Sequence, residues 1–535
     1  MKVSSKILLG FMLVMMICCV SAVSATDING TDDAIITDDI AVDDVSEIVE
    51  EEEIDDVSQD IVEENTDDTN DNVVKENLRT NIPPRVNGQD YSVFFDTNGN
   101  LENLPGPSNL TFTGDFVHIT DNFGNFKINR QVDLDISLAT FHNIGIEITG
   151  DYIHVNGGTF TSDGTVDYGQ AIYVNATGVE INDVTMNLVA PEDSDFYAID
   201  VEDSQYAKIY YSVINYTCDY NNTASYNYVI KSKNSDSIII QGNTITANLP
   251  LKKVNWNLTG SIDADYVAGV AIENCTHAHF YSNELNVEGI RRAGAFPTLD
   301  ALIITKTDRA IIRDNVINEK DTVTIDDEYS YLYGIDVYSC PSINIINNTV
   351  TMNANQSGGH IEGNGTGAAY CIQLSGNHTN VLISDNTLTT KNKGPNLGIY
   401  SQNANAYSQL KIEKNRINVT GKAGSDPWSL VSGIEVQDSS AEVSDNIITV
   451  NNIAGYTPDN YAFGISYAQW INQTHVYNIH NNHVNVINGD YAIYLLNDTD
   501  VSGQVYLNEV TASGNATRHG DIVVFAPSTS VRWNY

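Results

Sequence analysis

Along most of the chain apolar and polar residues return in one order: an apolar residue, two residues of mixed character, Asn, one further residue, another apolar residue, then Thr or Asn. IIIQGNTITA (238–247), LKIEKNRINV (410–419) and AEVSDNIITV (441–450) carry it, and Val381–Thr390 is a fourth copy. With Asn as origin it recurs at Asn182, Asn243, Asn283, Asn315, Asn348, Asn386, Asn415, Asn446, Asn482 and Asn508. Ser212 takes the slot once, and Gly158 opens the series. Three residues before the origin stands an apolar residue, from Val179, Ile209 and Ile240 through to Val505. Two residues after it stands another, from Val184, Ile214 and Ile245 through to Val510.

Upstream of most origins lies a second element, Gly or Ala, then Ile, any residue, and an apolar residue: AIYV (171–174), AIDV (198–201), GIDV (334–337), GIEV (433–436), AIYL (492–495). Both elements are short, β-branched and alternate with period two, which marks strands and not helical turns. Three short strands per ~32 residues, with like residues facing inward each time, predict an all-β, right-handed parallel β-helix of about 12–14 coils. Each strand pairs with its copy one coil away, at about 4.8 Å, so the Ile positions stack into one axial core. The Asn column is then a structural ladder at a sharp corner, where Asn tolerates left-handed backbone and its amide bonds to the Asn on either side. DYSVFFDTNGNLENLPGP (90–107) is expected to cap one end and 521–533 the other, because bare strand edges invite aggregation.

The opening MKVSSKILLGFMLVMMICCVSAVSA has basic Lys2 and Lys6, an apolar run from Ile7 to Val20, and small residues at Val23-Ser24-Ala25. This is the pattern of a cleaved signal peptide (1–25), its apolar run shorter than the ~20 residues that span a bilayer. Export follows, with no membrane span expected in the mature chain. Residues 27–76 hold 21 acids and one base, Lys75, and no aromatic residue. Such a segment cannot offset the chain entropy of ordering, so 26–89 is expected to be a disordered acidic tether and 90–535 the β-helix domain. Its DD and EEE clusters lack the glycine and spacing of a calcium loop, so no cofactor is implied and calcium is only weakly suggested.

Charge narrows the partners. The 535 residues carry a formal charge of −44 and a pI near 4.2, which argues against nucleic acid as a partner. Sixty-two Asn, 37 Gly and 29 Tyr fit turns and strands better than helices. Four cysteines remain after the leader, Cys218, Cys275, Cys340 and Cys371. The repeat puts Cys275 and Cys340 in one column two coils apart, about 9.6 Å, too far for a disulfide.

With these residues in place, the chain over roughly 90–535 resembles the right-handed β-helix repeat proteins, including their carbohydrate-binding and sugar-hydrolase group. More narrowly it resembles the adhesin-like surface proteins of methanogenic archaea; GNFKINRQVDLDI followed by IGIEITGDYIHVNGGTFTSDG carries the likeness to that group's opening coils. The resemblance implies an extracellular or cell-surface location and a polysaccharide or cell-surface glycan as partner.

Candidate chemistry follows from the period of two. The third residue of each Gly/Ala-Ile element should face outward, giving Tyr173, Asp200, Lys231, Glu273, Ile304, Asp336, Gln373, Tyr400, Glu435, Ser466 and Tyr494 along the rod. Rings pack on sugar faces and carboxylates accept hydroxyl protons, so Tyr173, Asp200, Glu273, Asp336, Tyr400, Glu435 and Tyr494 are candidate glycan contacts. Long insertions (248–267, 288–300, 319–332, 353–368, 389–397, 420–432, 451–463) follow the Asn-bearing element and should emerge at one corner. Trp256 and Trp428, with Phe296, Tyr456 and Tyr461, lie in or beside them as possible anchors. Arg291, Arg292, Asp300, Lys306, Asp308, Arg309 and Arg313 form the densest basic cluster, and His277 and His279 should share a strand face. Two histidines without a third ligand make a weak metal signal. About fifteen Asn-x-Ser/Thr sequons, Asn109 and Asn175 among them, are possible glycan acceptors. A non-catalytic glycan-binding adhesin is the expected function; a β-helix polysaccharide lyase or glycoside hydrolase and a passive structural surface component are the alternatives.

Overall fold

The computed structural model describes residues 84–535 apart from 103–108, 120–122, 193, 219–226, 254–266, 294–296, 322–330, 355–367, 404–408, 425–429, 456–460, 469–474, 490, 497–501, 514–521, 525–527, 533 and 535. The expected leader, most of the expected tether, and Trp256, Trp428, Phe296 and Tyr456 lie outside these residues.

The winding is that of a right-handed parallel β-helix. Each coil contributes one strand to each of three sheets, and each strand pairs in parallel with its counterpart a coil away. Tyr197–Glu202, Ala207–Tyr210 and Val213–Thr217 are one such coil; Val431–Gln437, Ser440–Ser444 and Ile447–Asn452 are another, seven coils on. Thirteen strands line the second sheet from His154–Asn156 to Ser528–Arg532, giving a length of about 60 Å at sheet spacing. The exception to parallel pairing within the named strands is a short antiparallel contact of Lys252 and Lys253 with Thr298 and Pro297. No helix among the described residues is long and apolar enough to cross a membrane.

The axial core is read directly from register. Ile172, Ile199, Ile230, Val270, Leu302, Ile335, Ile372, Ile399, Ile434, Ile465 and Ile493 form one straight buried column of the first sheet. Burial of such side chains stabilises the fold by roughly 1.5–3 kcal/mol each before the entropy of ordering is set against it. The Gly or Ala before each Ile also points inward, so two successive residues face the core and the strand is locally bulged. Val229 and Cys371 take this place in two coils, but at the glycines there is room for nothing larger. A Cβ on Gly334 would lie 2.6 Å from Val350 Cγ1, and one on Gly433 2.3 Å from Ile448 Cγ2.

The second and third strands of every coil from Glu180 onward are joined by two residues, as in Gln241-Gly242-Asn243-Thr244 or Ser384-Asp385-Asn386-Thr387. The first of the two turns the corner through the left-handed region: Tyr211, Gly242, Ser282, Asp314, Asn347, Asp385, Lys414, Asp445, Asn481 and Leu507 have φ between 49° and 69°. The left-handed residue is thus the one before the ladder Asn, not the Asn itself. The Asn side chain is directed inward instead. Asn386 Nδ2 donates to Asn415 Oδ1 (2.9 Å) and to the Ile345 carbonyl (2.8 Å), while its Oδ1 accepts from Asn348 N (2.9 Å) and Asn348 Nδ2 (3.0 Å). The same pattern repeats from Asn243 to Asn508 and continues to Asn534, which sits three residues after Val531.

Asn182 is not part of this ladder. Its coil puts Val184 in the slot, facing Gly158 on one side and Ser212 on the other, and Asn182 falls at the outward end of its strand opposite Tyr210. The corner between first and second strands is lined by Ser204, Ser235, Cys275, Thr307, Cys340 and Ser439, each buried and each following a left-handed residue. Thr307 separates Cys275 from Cys340, and Cys218, Cys275, Cys340 and Cys371 are buried thiols outside any disulfide.

At the N-terminal end Tyr91, Phe95, Phe112, Phe116, Phe123 and Phe126 close the core in edge-on contacts of 4.9–6.3 Å. The segment expected as the opposite cap behaves otherwise. Ile522–Val524 and Ser528–Arg532 pair in parallel with Ile493–Leu495 and Ser502–Tyr506, so they are one more coil. In sequence the long stretches between described strands mostly follow third strands, but 404–408, 469–474, 497–501 and 525–527 follow first strands.

Candidate functional site

The outer face of the first sheet carries three columns of side chains. The central one runs Tyr173, Asp200, Lys231, Ala271, Ile303, Asp336, Gln373, Tyr400, Glu435, Ser466, Tyr494. Glu273 and Ile304, expected in it, are displaced. Glu273 stands two residues along, between Lys233 and Thr305, and Ile304 faces the core. The second column, three residues earlier because of the bulge, holds Tyr197, Tyr228, Ala268, Asp300, Tyr333, Tyr370, Leu397, Ser432, Phe463 and Tyr491.

The early candidates are occupied by one another. Lys231 Nζ lies 3.6 Å from Asp200 Oδ1 and 2.5 Å from Glu202 Oε1, and 5.1 Å over the Tyr197 ring. Burial raises the Asp200 carboxyl to about 7 against the pull of Lys231. Tyr173 Oη reaches Glu202 at 3.5 Å. Glu273 is held between Lys233 (3.7 Å) and Lys306 (3.6 Å). These are closed ionic contacts, with little left to offer a ligand.

Midway along the rod the outer face is covered. Tyr228, Ala268, Ala271 and Ile303 form a second buried apolar cluster with Tyr197. Asp300 and Asp336 lie beneath the same cover, and neither Asp300 oxygen nor Asp336 Oδ1 has a hydrogen-bond partner. Burial, reinforced at Asp300 by Asp336 and Glu319, pushes both carboxyls upward. Glu319 itself points into the core of the third sheet, between Val287 and Met352. No group of three or more His, Cys, Asp or Glu among the described residues is placed to hold a metal ion.

Between Tyr400 and Tyr494 half-exposed rings frame Glu435 and Ser466, which are themselves buried. Here Tyr400, Glu435, Ser466 and Tyr494 stand in register on four successive coils, about 14 Å from first to last. Phe463 stacks on Tyr494 with centroids 4.6 Å apart and planes within 8°. Tyr491 lies against Tyr494 at 5.6 Å, and Tyr461 meets Phe463 edge-on at 6.2 Å. On the other side Tyr400 packs against Tyr370 at 5.7 Å, and Tyr370 against Tyr333 at 5.2 Å. Tyr370, Tyr400, Tyr461, Tyr491 and Tyr494 are half-buried, with part of each ring left to solvent. Between the two aromatic groups Gln437 Nε2 donates to Glu435 Oε1 at 2.6 Å, and Ser432 Oγ lies 3.4 Å from Ser466 Oγ. Burial raises the Glu435 carboxyl to about 7, offset in part by Gln437.

Sequence reasoning reaches Tyr400, Glu435 and Tyr494 but misses Phe463, Tyr491 and Tyr370. Their signal is an aromatic residue directly before the small residue and Ile, as in Tyr370-Cys371-Ile372, Phe463-Gly464-Ile465 and Tyr491-Ala492-Ile493. A polar groove of about 280 Å³ was likewise not foreseen. Asn109, Asp133, Asp135, His154, Asn156, Glu180 and the displaced Asn182 line it, with His154 Nδ1 3.0 Å from Asp133 and Asn182 Nδ2 donating to Glu180 at 2.7 Å. The basic cluster is divided. Asp300 goes under the covered face, whereas Arg309 and Arg313 stand exposed on the second sheet beside His277 and His279.

No known family model matches the chain, and no curated protein does. Among solved structures it is similar to the A-module of the Azotobacter vinelandii mannuronan C-5 epimerase AlgE6, at 10% identity over 80% of this chain and 91% of that one, with a TM-score of 0.27. It is also similar to PfbA, a surface adhesin of Streptococcus pneumoniae, at 12% identity over 68% and 86% with a TM-score of 0.32. An alginate lyase solved with a trisaccharide matches at 11% identity over 84% and 96%, TM-score 0.22.

Proposed function

We propose that this protein is a non-catalytic, adhesin-type binder of glycans, and that it grips sugar rings on the first sheet between Tyr400 and Tyr494. One observation supports this above the others: two aromatic groups in register, Tyr370 with Tyr400 and Phe463 with Tyr491 and Tyr494, flank Glu435 and Ser466 on a straight face. Ring faces pack on the C–H faces of sugars, and the carboxyl and hydroxyls between them exchange hydrogen bonds with sugar hydroxyls. With its carboxyl near 7, Glu435 is both donor and acceptor around neutral pH.

Export to the cell surface, suggested by the N-terminal leader, and kinship with the adhesin-like proteins of methanogenic archaea belong to the same proposal. Hydrolysis of the usual kind needs two carboxyls flanking one glycosidic bond. Glu435 instead has Tyr400 and Ser466 as its neighbours in the column, and the nearest carboxyl of that column, Asp336, stands three coils away, about 14 Å.

The test is calorimetric titration of neutral and acidic oligosaccharides into the wild type and Tyr400→Ala/Tyr494→Ala, with product analysis of the same mixtures. At least one oligosaccharide should bind the wild type and lose about tenfold or more in the variant, equivalent to about 1.4 kcal/mol. New reducing ends or unsaturated sugars would establish the lyase or hydrolase alternative. No binding by any sugar would leave the passive structural alternative.

A further inference from the structure

The second sheet carries a different kind of site. Strands His277–Tyr281 and Arg309–Arg313 are neighbours, with His277 opposite Arg309, His279 opposite Ile311 and Tyr281 opposite Arg313. The alternating residues Ala278, Phe280, Ala310 and Ile312 are buried in the core, so the six others share the outer face. The Tyr281 hydroxyl hydrogen-bonds His279 Nδ1, and the Arg313 guanidinium stands 4.5 Å over the Tyr281 ring. The His277 and His279 rings are 6.4 Å apart. Arg309 makes no ion pair with any described residue, and Asp314 meets Arg313 at 3.7 Å through Nε. Burial together with His277, Arg309 and Arg313 holds the His279 pKa down, as expected where several cationic groups face one space.

We propose that His277, His279, Tyr281, Arg309 and Arg313 form an anion site for the carboxylate or sulfate groups of an acidic polysaccharide. In a chain of net charge −44, two arginines and two histidines gathered with one paired acid, Asp314, are the exception. Two guanidiniums are enough to bind a carboxylate or sulfate by charge-assisted hydrogen bonds. They are too few to hold a nucleic-acid backbone against the rest of the molecule. The flanking coils add hydroxyls and amides in register, Ser237 and Gln241 on one side and Ser342 and Asn344 on the other. Steps of about 4.8 Å between these polar groups suit a chain of hydroxylated rings laid along the rod. Of the acids flanking these strands, Asp308 stands at the turn before Arg309, and Asp314, next to Arg313, is the one paired with the cluster.

This site lies on a different sheet from the aromatic face, so the two can fail separately. Oligogalacturonate, a sulfated oligosaccharide, a neutral cello-oligosaccharide of equal length, polyglutamate and single-stranded DNA are titrated into the full chain and two variants. Arg309→Gln/Arg313→Gln should weaken oligogalacturonate or the sulfated sugar about tenfold or more, while its thermal melt stays that of the wild type, because both side chains are exposed. Tyr400→Ala/Tyr494→Ala should leave that affinity unchanged. The proposal is overturned if neither anionic sugar binds, or if the arginine variant binds them as the wild type does. It is equally overturned if polyglutamate or DNA binds as tightly as the sugars, or if the tyrosine variant is the one that loses them.

Discussion

Replacing Glu319 by Met should make the protein more stable, and more so at alkaline pH. Glu319 stands in the inward column Ala247, Val287, Glu319, Met352, and neither carboxyl oxygen has a hydrogen-bond partner. Burial and the neighbouring Asp321 raise its pKa well above the ordinary value; the Ala301 N–H, too poorly placed to count as a hydrogen bond, is the one group pulling the other way. The folded protein therefore holds a proton that the unfolded chain releases above about pH 4.3. The unfolded state binds fewer protons through that window, so stability falls as pH rises from there towards the raised pKa. Met removes the ionisable group and copies the residue one coil away. The unsatisfied polar group alone accounts for about 1–3 kcal/mol of gain. The gain is larger at pH 8, where proton uptake also weighs on the wild type, than at pH 5, where little uptake remains. At an unfolding entropy of about 2.1 cal/mol/K per residue, 3 kcal/mol moves the midpoint of a domain this size by about 3 °C. Thermal melts of both proteins at pH 5, 6, 7 and 8, followed by circular dichroism, measure it. A variant that melts below the wild type at pH 8, or gains equally at pH 5 and pH 8, would refute the reasoning.

Two further outcomes follow from the corners. Asn386→Ala strands the Asn348 and Asn415 side chains and the Ile345 carbonyl inside the protein, and should cost about 3–5 kcal/mol in urea unfolding. By contrast Asp385→Gly, at φ 57°, should be neutral or slightly stabilising in the same assay. Burial pushes the Cys275 thiol up to about 11 and Cys340 to about 12, and Cys218 and Cys371 are buried too. Thiol labelling followed by mass spectrometry should find all four unmodified in the native protein and reactive after denaturation.

The winding was legible because each coil repeats the same steric demands. A small residue must precede Ile where the backbone bulges into the core, and an amide must sit where two carbonyls and a backbone N–H turn inward, so both leave a recurring mark. Errors arose where a neighbouring pair imitated that mark. Ala271-Ile272-Glu273 copies the Gly/Ala-Ile signature, yet Gly269-Val270 fills the bulge and Ala271 faces out. Asn182 with Val184 copies the Asn signature, yet its coil uses Val184 itself in the slot. Asn534 carries only half of the mark, because a single residue follows it, too few to complete the pattern. The covering of Asp300, Ile303 and Asp336 was not legible at all: alternation tells which side chains leave the core, but not what lies on top of them. For the same reason Tyr400 and Asp336 looked alike as candidates, though one meets solvent and the other does not.

The two-residue corner never lengthens, although successive ladder Asn residues lie between 26 and 40 positions apart in sequence. Extra chain is taken up elsewhere, so the pitch of the rod is indifferent to what hangs from its sides. Groups displayed on neighbouring coils keep the same interval however large the decorations become, and the protein behaves as a ruler graduated in whole turns. Any change of reach must come by adding or deleting a complete turn, which would move every site beyond it by one graduation and leave its chemistry intact.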